Sequence, residues 1–352
     1  MELSKIQEII ALSPEKHIVV NAAAASGKTT VLVTRIQHLL DIGIEPSSIV
    51  AITFTNNAAQ NIKERLTNAA GVFIGTVHSY ANYLLLCKGV ATQDILEKEQ
   101  FDRLFKRLKD HPECIKPVEH LLWDEVQDST EQQFELILDY INPKNWFLVG
   151  DWRQSIYGFL DARPDIFLDL TRRAGVKVYN LNENYRNDRK VLNFAKGIIR
   201  LAGMDYIDNS IPMSTVDGKV IEAEYEPVQL ARFIKMNGNY GSWFVLTRTN
   251  EQIDVFSRYL EAEKIPYDTF KRAQLDSAAL NKKLNEDTVK VLTIHSAKGL
   301  EAGNVAVIGA RFYNIEERCL SYVAATRAKH LLLWMRMPNK TRRREKVVSW
   351  ER

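Results

Sequence analysis

The sequence predicts two α/β domains, each a parallel sheet covered by helices, and three observations carry that prediction. Short apolar runs rich in β-branched residues alternate with helical stretches along the chain, as parallel strands joined by crossover helices do. A phosphate-loop-like segment follows one such run directly and opens a helix. The length, 352 residues, suits two ordinary domains better than one.

In the first half, strands are expected at 17–21, 49–54, 72–75, 120–123, 146–149 and 176–180. In the second they are expected at 243–247, 289–294, 305–309 and 331–334. The run at 49–54 leads into a helix over about 57–70. Residues 80–117 read as short helices with Lys and Glu outside, 205–218 as a loop, and 271–287 as polar and partly helical. The two sheets meet near 181–186, which gives domains over 1–182 and 183–352. No fixed-period repeat or low-complexity tract interrupts them.

Composition bounds the function class. With 45% hydrophobic and 26% charged residues, each domain can bury a core. The balance of 47 Lys+Arg against 44 Asp+Glu is compatible with a nucleic-acid partner without demanding one, because a basic groove can sit on a balanced protein. Cys87, Cys114 and Cys319 lie far apart with no CxxC pair, which argues against a zinc site or disulfide framework and suits a reducing compartment. Nothing approaches the ~20 apolar residues of a membrane span, and MELSKIQEII is unlike a signal peptide. No membrane is expected as a partner, and the expected location is the cytoplasm of a bacterial or phage-infected cell. The basic run KTRRREK at 340–346 reads as a solvated tail to which phosphate contact would be suited.

The phosphate-loop segment is AAAASGKTT (22–30), after HIVVN and before TTVLVTRIQHLL. Backbone N–H groups at such a helix start converge on a polyphosphate, with Lys28 reaching the β- and γ-phosphates and the Thr29 hydroxyl ligating Mg²⁺. The pattern GxxxxGK[ST] lacks its first glycine, since Ala22 stands there. A GKT at a helix start is weak alone. LLWDEVQD strengthens it by placing Asp124 and Glu125 at the carboxyl end of an apolar strand, where ligands of α/β sheets bind. Asp124 suits the Mg²⁺ shell, and Glu125 suits the base that orients and deprotonates a water. A DE pair can also be no more than helix-capping acids; the position after a strand, downstream of the GKT, favours the catalytic reading.

The motifs then continue in order: a Gln before the loop (Gln7 in LSKIQ), ITFTNNAA (52–59), GTVHS (75–79), VGDWRQSIYGF (149–159), LNENYR (181–186), VLTRTN (245–250), LTIHSAKGLE (292–301) and LSYVAATRAK (320–329). With these residues the sequence resembles the UvrD/Rep family of superfamily I DNA helicases over nearly its whole length. The resemblance implies two RecA-like P-loop domains with an ATP cleft between them, Mg²⁺ as cofactor, and 3′→5′ movement on single-stranded DNA. It implies that Gln7, Ala23, Ala24, Ala25, Ser26, Gly27, Lys28, Thr29, Thr30, Tyr185 and Glu301 bind the nucleotide. Gln7 would read the adenine edge, Tyr185 stack on its face and Glu301 bond the ribose. Gln154 would sense the γ-phosphate, and Arg186 and Arg327 would serve as arginine fingers, each worth about 10³-fold or more in rate. Phe54, Tyr157 and Phe159 resemble the base-stacking residues. Thr55, Asn56, Thr76, His78, Arg248, Asn250, His295 and Ser296 resemble the groups that contact phosphate and sugar. The expected partners are single-stranded DNA, single-strand/duplex junctions and a loading or accessory protein, with the chain itself a monomer.

Three departures from the family pattern stand out. Ala23 and Ala25 occupy usual glycine positions of the loop, where alanine resists φ > 0. FLDA (159–162) replaces FRGA, so Leu160 and Asp161 stand for arginine and glycine. The chain is also about half the family's usual length: 80–117 corresponds to a reduced helical insert, and 271–287 to the remnant of a much larger one. The expectation is a compact helicase or single-strand translocase. The alternatives are a translocase that displaces proteins without unwinding, and a non-catalytic nucleic-acid-binding protein with a degenerate ATP site.

Overall fold

Apolar runs buried on both faces become interior parallel strands, and the amphipathic stretches between them become the helices that cover those faces. The computed structural model describes residues 3–200, 208–271, 282–309 and 314–338. The chain divides into two compact units, Met1–Asn182 and Glu183–Arg352.

The first unit runs α1 (Lys5–Ala11), β1 (His17–Ala22), α2 (Lys28–Asp41), β2 (Ile49–Ile52), α3 (Asn56–Arg65), β3 (Phe73–Gly75) and α4 (Val77–Leu86). It continues with α5 (Gln93–Leu96), α6 (Arg103–Asp110), β4 (His120–Trp123), α7 (Glu131–Phe134), β5 (Asn145–Gly150), α8 (Pro164–Leu170) and β6 (Lys177–Leu181). A π-helical stretch, Glu135–Ile141, extends α7. The strands form one all-parallel sheet in the order β3-β2-β4-β5-β1-β6. Alternation divides the core between two faces. Val19, Leu121 and Leu148 pack on one side, and Ile18, Leu122 and Phe147 on the other with α1 and α2.

The second unit contains β7 (Glu183–Asn184), α9 (Arg189–Arg200), β8 (Ile211–Pro212), β9 (Lys219–Glu224), α10 (Pro227–Asn237) and β10 (Trp243–Thr247). It ends with α11 (Asn250–Ala262), β11 (Tyr267–Phe270), β12 (Val289–Thr293), β13 (Ala302–Ile308), α12 (Ile315–Ala325) and β14 (Ala328–Arg336). Its main sheet, β11-β12-β10-β13-β14-β9, is again all parallel. Val245, Val291 and Leu333 pack against α10 and α11. On the opposite face Trp334 meets Phe194 of α9 edge-on at 5.1 Å.

Four sequence expectations need correction. The strand expected at 49–54 ends at Ile52, because Thr53 and Phe54 leave the ladder toward the Thr55 N-cap of α3. The helix expected to reach residue 70 stops at Arg65: Leu66 is extended and Asn68 has φ 58°. The expected loop 205–218 contains β8, which pairs with β7 in a two-stranded sheet. Strands β9 and β11, at the two edges of the second sheet, had no counterpart among the expected strands. Of 271–287, residues 272–281 lie outside the described residues, as does the basic run 340–346.

Candidate functional site

In the first unit, five strands deliver their chemistry to one edge. β1 ends at Ala22, and residues 23–27 turn into α2 at Lys28. The turn needs two left-handed residues, Ala25 at φ 56° and Gly27 at φ 82°. Ala25 therefore does what glycine would do at a strain cost of roughly 1–2 kcal/mol. Ala23 has no positive φ; its N–H donates to the Leu181 carbonyl at 2.8 Å. Ala24 and Ser26 are buried, and Ser26 Oγ has no hydrogen-bond partner among the described residues. Thr30, in the first turn of α2, receives a bond from Arg65 at 2.8 Å. Gln7 closes the loop from behind: its Nε2 donates to the Ser26 carbonyl at 3.0 Å, and its Oε1 accepts from Ser4 N–H at 2.9 Å. One amide proton and one lone pair of Gln7 remain, the combination that can read an adenine edge.

β4 ends at Trp123 and presents the acidic pair. Thr29 Oγ1 donates to Asp124 Oδ2 at 3.4 Å, and Lys28 Nζ lies 3.3 Å from Glu125 Oε1. Burial, and then the neighbouring Glu125 charge, push the Asp124 carboxyl up to about 7 against the pull of Lys28. Glu125 has φ 52° and ψ 38°, a left-handed conformation that turns its carboxylate toward Lys28. A hydroxyl and a carboxylate this close are hard oxygen ligands that fit Mg²⁺, and the amide-lined helix start with Lys28 fits a polyphosphate. Among the described residues no group of three or more His, Cys, Asp or Glu could hold a metal by itself.

Behind this pair runs a buried chain of hydrogen bonds that motif matching did not single out. Gln127 Nε2 donates to Glu125 Oε2 at 2.6 Å, while Gln127 Oε1 accepts the Asp151 N–H at 3.0 Å. Asp151 in turn accepts from Arg153 Nε at 2.6 Å and from Gln154 Nε2 at 2.7 Å. Gly150 makes room for it, since a Cβ there would meet Gln127 Oε1 at 2.8 Å. Gln127, Asp151 and Arg153 are visible in the motifs as letters. Their mutual contacts are set by β4 and β5 being sheet neighbours.

Phe54 and Tyr157 stack on each other, with centroids 4.7 Å apart and planes at 24°. Tyr157 is thereby buried, and Phe159 is the exposed ring, 6.0 Å away and tilted at 60°. Beside Phe54 opens a cavity of about 820 Å³ lined also by Thr76, His78, Asp102 and Arg163. Thr55 and Thr76 are N-caps of α3 and α4, and Asn56 is exposed at the start of α3. His78 stacks on Phe105 at 4.8 Å and touches Asp102 through Nε2 at 3.1 Å. Asp161, at a usual glycine position, has φ 59°.

The second unit separates its expected residues between two edges. Tyr185, Arg186, Glu301 and Arg327 gather where β13 and β14 begin. Arg186 Nε pairs with Glu301 Oε2 at 2.6 Å, and Lys329 with Glu301 Oε1 at 2.7 Å. Burial alone would raise the Glu301 carboxyl; the Arg186 charge and the bonds from Lys329 and Arg186 override it and bring it down to about 2. Arg327 is buried, donating Nε to the Val323 carbonyl at 3.0 Å and Nη1 to the Leu300 carbonyl at 3.2 Å. Tyr185 is half exposed, with its hydroxyl on Glu183 at 2.5 Å. At the opposite edge, beyond β10 and β12, stand Arg248, Asn250, His295 and Ser296. Asn250 is exposed, Ser296 is bonded to Thr293 at 2.9 Å, and Arg248 is held by Glu317.

An all-parallel sheet whose first strand runs through a phosphate loop into a helix, with an acidic pair on a nearby strand, defines the P-loop class. The sequence matches the UvrD/REP helicase N-terminal domain over residues 3–109 and 100–175, and the UvrD-like helicase C-terminal domain over 268–338. The chain belongs to the UvrD/REP helicase family. It is 25% identical to the probable DNA helicase II homolog of Mycoplasma capricolum subsp. capricolum, over 76% of this chain and 52% of that protein. The probable DNA helicase of Mycoplasma pneumoniae is 26% identical over 89% of this chain and 79% of its own length. DNA helicase II of Escherichia coli is 26% identical over 94% of this chain and 59% of its own length. The chain thus spans about half the length of the first of these relatives. Among the described residues no helix is long and apolar enough to cross a membrane.

Proposed function

We propose that this chain hydrolyses ATP to move 3′→5′ along single-stranded DNA and to separate duplex at a junction. The observation that carries the reading is the convergence of Lys28, Thr29, Asp124, Glu125 and the Gln127–Asp151–Gln154 chain on one edge of one sheet. Lys28 binds the β- and γ-phosphates, exchanging Glu125 for phosphate oxygens. Glu125, released from Lys28 but still held by Gln127, accepts the proton of the attacking water. Thr29 and Asp124 hold Mg²⁺, which supplies charge neutralisation on the phosphates. Gln7 reads adenine, Tyr185 stacks on it and Glu301 bonds the ribose. Arg186 and Arg327 neutralise the charge that develops on the γ-phosphate. Gln154 links that event to the aromatic loop, where the exposed Phe159 ring and Phe54, backed by the buried Tyr157, stack on bases of any sequence.

A second reading, a translocase that displaces proteins without opening duplex, is favoured by one specific feature. Only short helices, α5 and α6, lie between α4 and β4, and β11 at Phe270 is followed closely by β12 at Val289. Little chain is left there to grip a duplex. Two assays decide. ATP turnover stimulated by oligothymidylate and lost in Lys28→Ala supports the motor. Strand displacement from a 3′-tailed duplex, set beside streptavidin displacement from a biotinylated single strand, separates the two readings. Turnover unaffected by both the strand and Lys28→Ala removes both and leaves a binding protein.

A further inference from the structure

Arg248 follows the last residue of β10 and precedes Thr249, the N-cap of α11. Its guanidinium grips the Glu317 carboxylate with two nitrogens: Nη1 meets Oε2, and Nη2 meets Oε1 at 2.6 Å. Both side chains are mostly buried, 25% and 17% exposed, so bulk solvent screens the pair only in part. The ends are also fixed. Arg248 N–H donates to Gln252 Oε1 at 2.8 Å, and Glu317 N–H to the Asn314 cap of α12 at 2.8 Å. A fork-to-fork guanidinium contact of this kind serves carboxylate and phosphate alike, so a phosphate can take this face of the Arg248 fork only by displacing Glu317.

Glu317 stands in the first turn of α12, and that helix runs back along the sheet to its other edge. Its C-cap, Thr326, presents a carbonyl that accepts from Arg186 Nη1 at 3.2 Å and from Asn187 Nδ2 at 3.1 Å. Arg327 follows directly. Arg318, one residue after Glu317, donates to the Ile198 carbonyl of α9 at 3.0 Å, so the first turn of α12 is fastened to α9. One rigid element joins the Arg248 clamp to both arginines at the opposite edge.

We propose that Glu317 is a built-in competitor for the DNA phosphate that Arg248 takes, and that α12 carries the exchange to Thr326, Arg327 and Arg186. The inference rests on the single-strand motor reading above. While Glu317 holds Arg248, a strand phosphate gains the bidentate face of the fork only by breaking the ion pair. The carboxylate so freed takes up a cation and cancels the counterion released by the phosphate.

The test uses the full chain, labelled oligothymidylate and anisotropy titrations across a NaCl series. Glu317→Gln keeps the shape and removes the competing charge. Binding at low salt is expected to tighten about tenfold, and the slope of log K against log[NaCl] to steepen by about 0.7, the value for one added phosphate contact on a single strand. The double variant Glu317→Gln/Arg248→Gln is expected to lose that added slope. The ratio of strand-stimulated to strand-free ATP turnover is expected to fall in Glu317→Gln, because the clamp is already open without DNA. Arg248→Lys, which keeps the charge but not the fork, gives a second route and is expected to lower the same ratio if Glu317→Gln is poorly folded. An unchanged slope and ratio, with only a lower melting temperature, overturns the inference and leaves a structural clamp. Failure of the wild-type chain to bind oligothymidylate overturns the motor reading as well, so the two failures are distinguishable.

Discussion

The two sheets share one construction, six parallel strands under helices, and use their edges differently. In the first unit every candidate nucleotide and strand contact lies at the carboxyl edge, where helix starts and loops leave donors uncommitted. In the second, Arg186, Glu301 and Arg327 cluster at the amino edge and are already engaged, by one another or by backbone carbonyls. The first unit is built as a receptor for phosphate. The second holds its arginines in place beforehand, so orienting them costs little when charge develops.

That contrast can be broken most decisively with paired substitutions. Lys28→Ala is expected to lower ATP turnover about 10²–10³-fold with little change in melting temperature, because its ion pair is with the partly exposed Glu125. Arg327→Ala is expected to lose turnover to a similar degree and also about 1–3 kcal/mol of stability, through the Leu300 carbonyl losing its Arg327 donor while the Val323 carbonyl keeps the Thr326 hydroxyl. Equal melting curves for Arg327→Ala and wild type would remove the idea that the backbone orients this arginine.

Gln127→Ala probes the first unit's interior chain. It should cut turnover about 10–100-fold, the range for partners that orient metal-site ligands, because Glu125 loses its 2.6 Å donor and Asp151 its acceptor. A near-normal rate in a well-folded variant would show that Glu125 needs no such support.

Asp124 gives a pH signature opposite in sign to that of Glu301 in the second unit. Its folded-state value of about 7 lies above the ordinary 3.8. Its contribution to stability is therefore complete below about pH 3.8 and lost as pH rises through about 7. With chelator present, wild type should melt lower at pH 8 than at pH 5.5, and Asp124→Asn should flatten that difference. Mg²⁺ should recover the wild type at pH 8 but not the variant. A wild-type melting temperature that rises over this interval, with no change in Asp124→Asn, contradicts the assignment.

The smallest effects concern the two loop alanines and have opposite signs. Ala25→Gly relieves a left-handed alanine and is expected to stabilise by about 0.5–1 kcal/mol. Ala23→Gly, at a position without positive φ, should destabilise by about 0.5–1 kcal/mol. Chemical denaturation of the two variants side by side checks the signs.

The fold was legible where burial is two-sided. β4 and β10, continuous apolar runs, have the bounds expected from sequence. β9, KVIEAE, was missed because an edge strand needs no apolar run, and here every residue is exposed or only partly buried. The departures at Ala25 and Asp161 were informative for a physical reason, since both residues occupy the left-handed conformation that makes glycine usual there. Pairings were not legible. Nothing in VGDWRQ says that Asp151 accepts from both Arg153 and Gln154, and nothing in VLTRTN says that a glutamate 69 residues later occupies Arg248. Such partners follow from which strands lie side by side and from the path of α12.

Gly27 has a consequence for anyone altering nucleotide preference. A Cβ at that position would lie 2.6 Å from the Gln7 amide nitrogen, and that amide also fastens the Ser26 carbonyl. With Gln7 reading adenine as proposed, base choice and loop shape are one mechanical unit. A substitution at Gln7 meant to exchange adenine for another base would also loosen the phosphate cradle, so selectivity and turnover would shift together unless position 27 were redesigned in the same step.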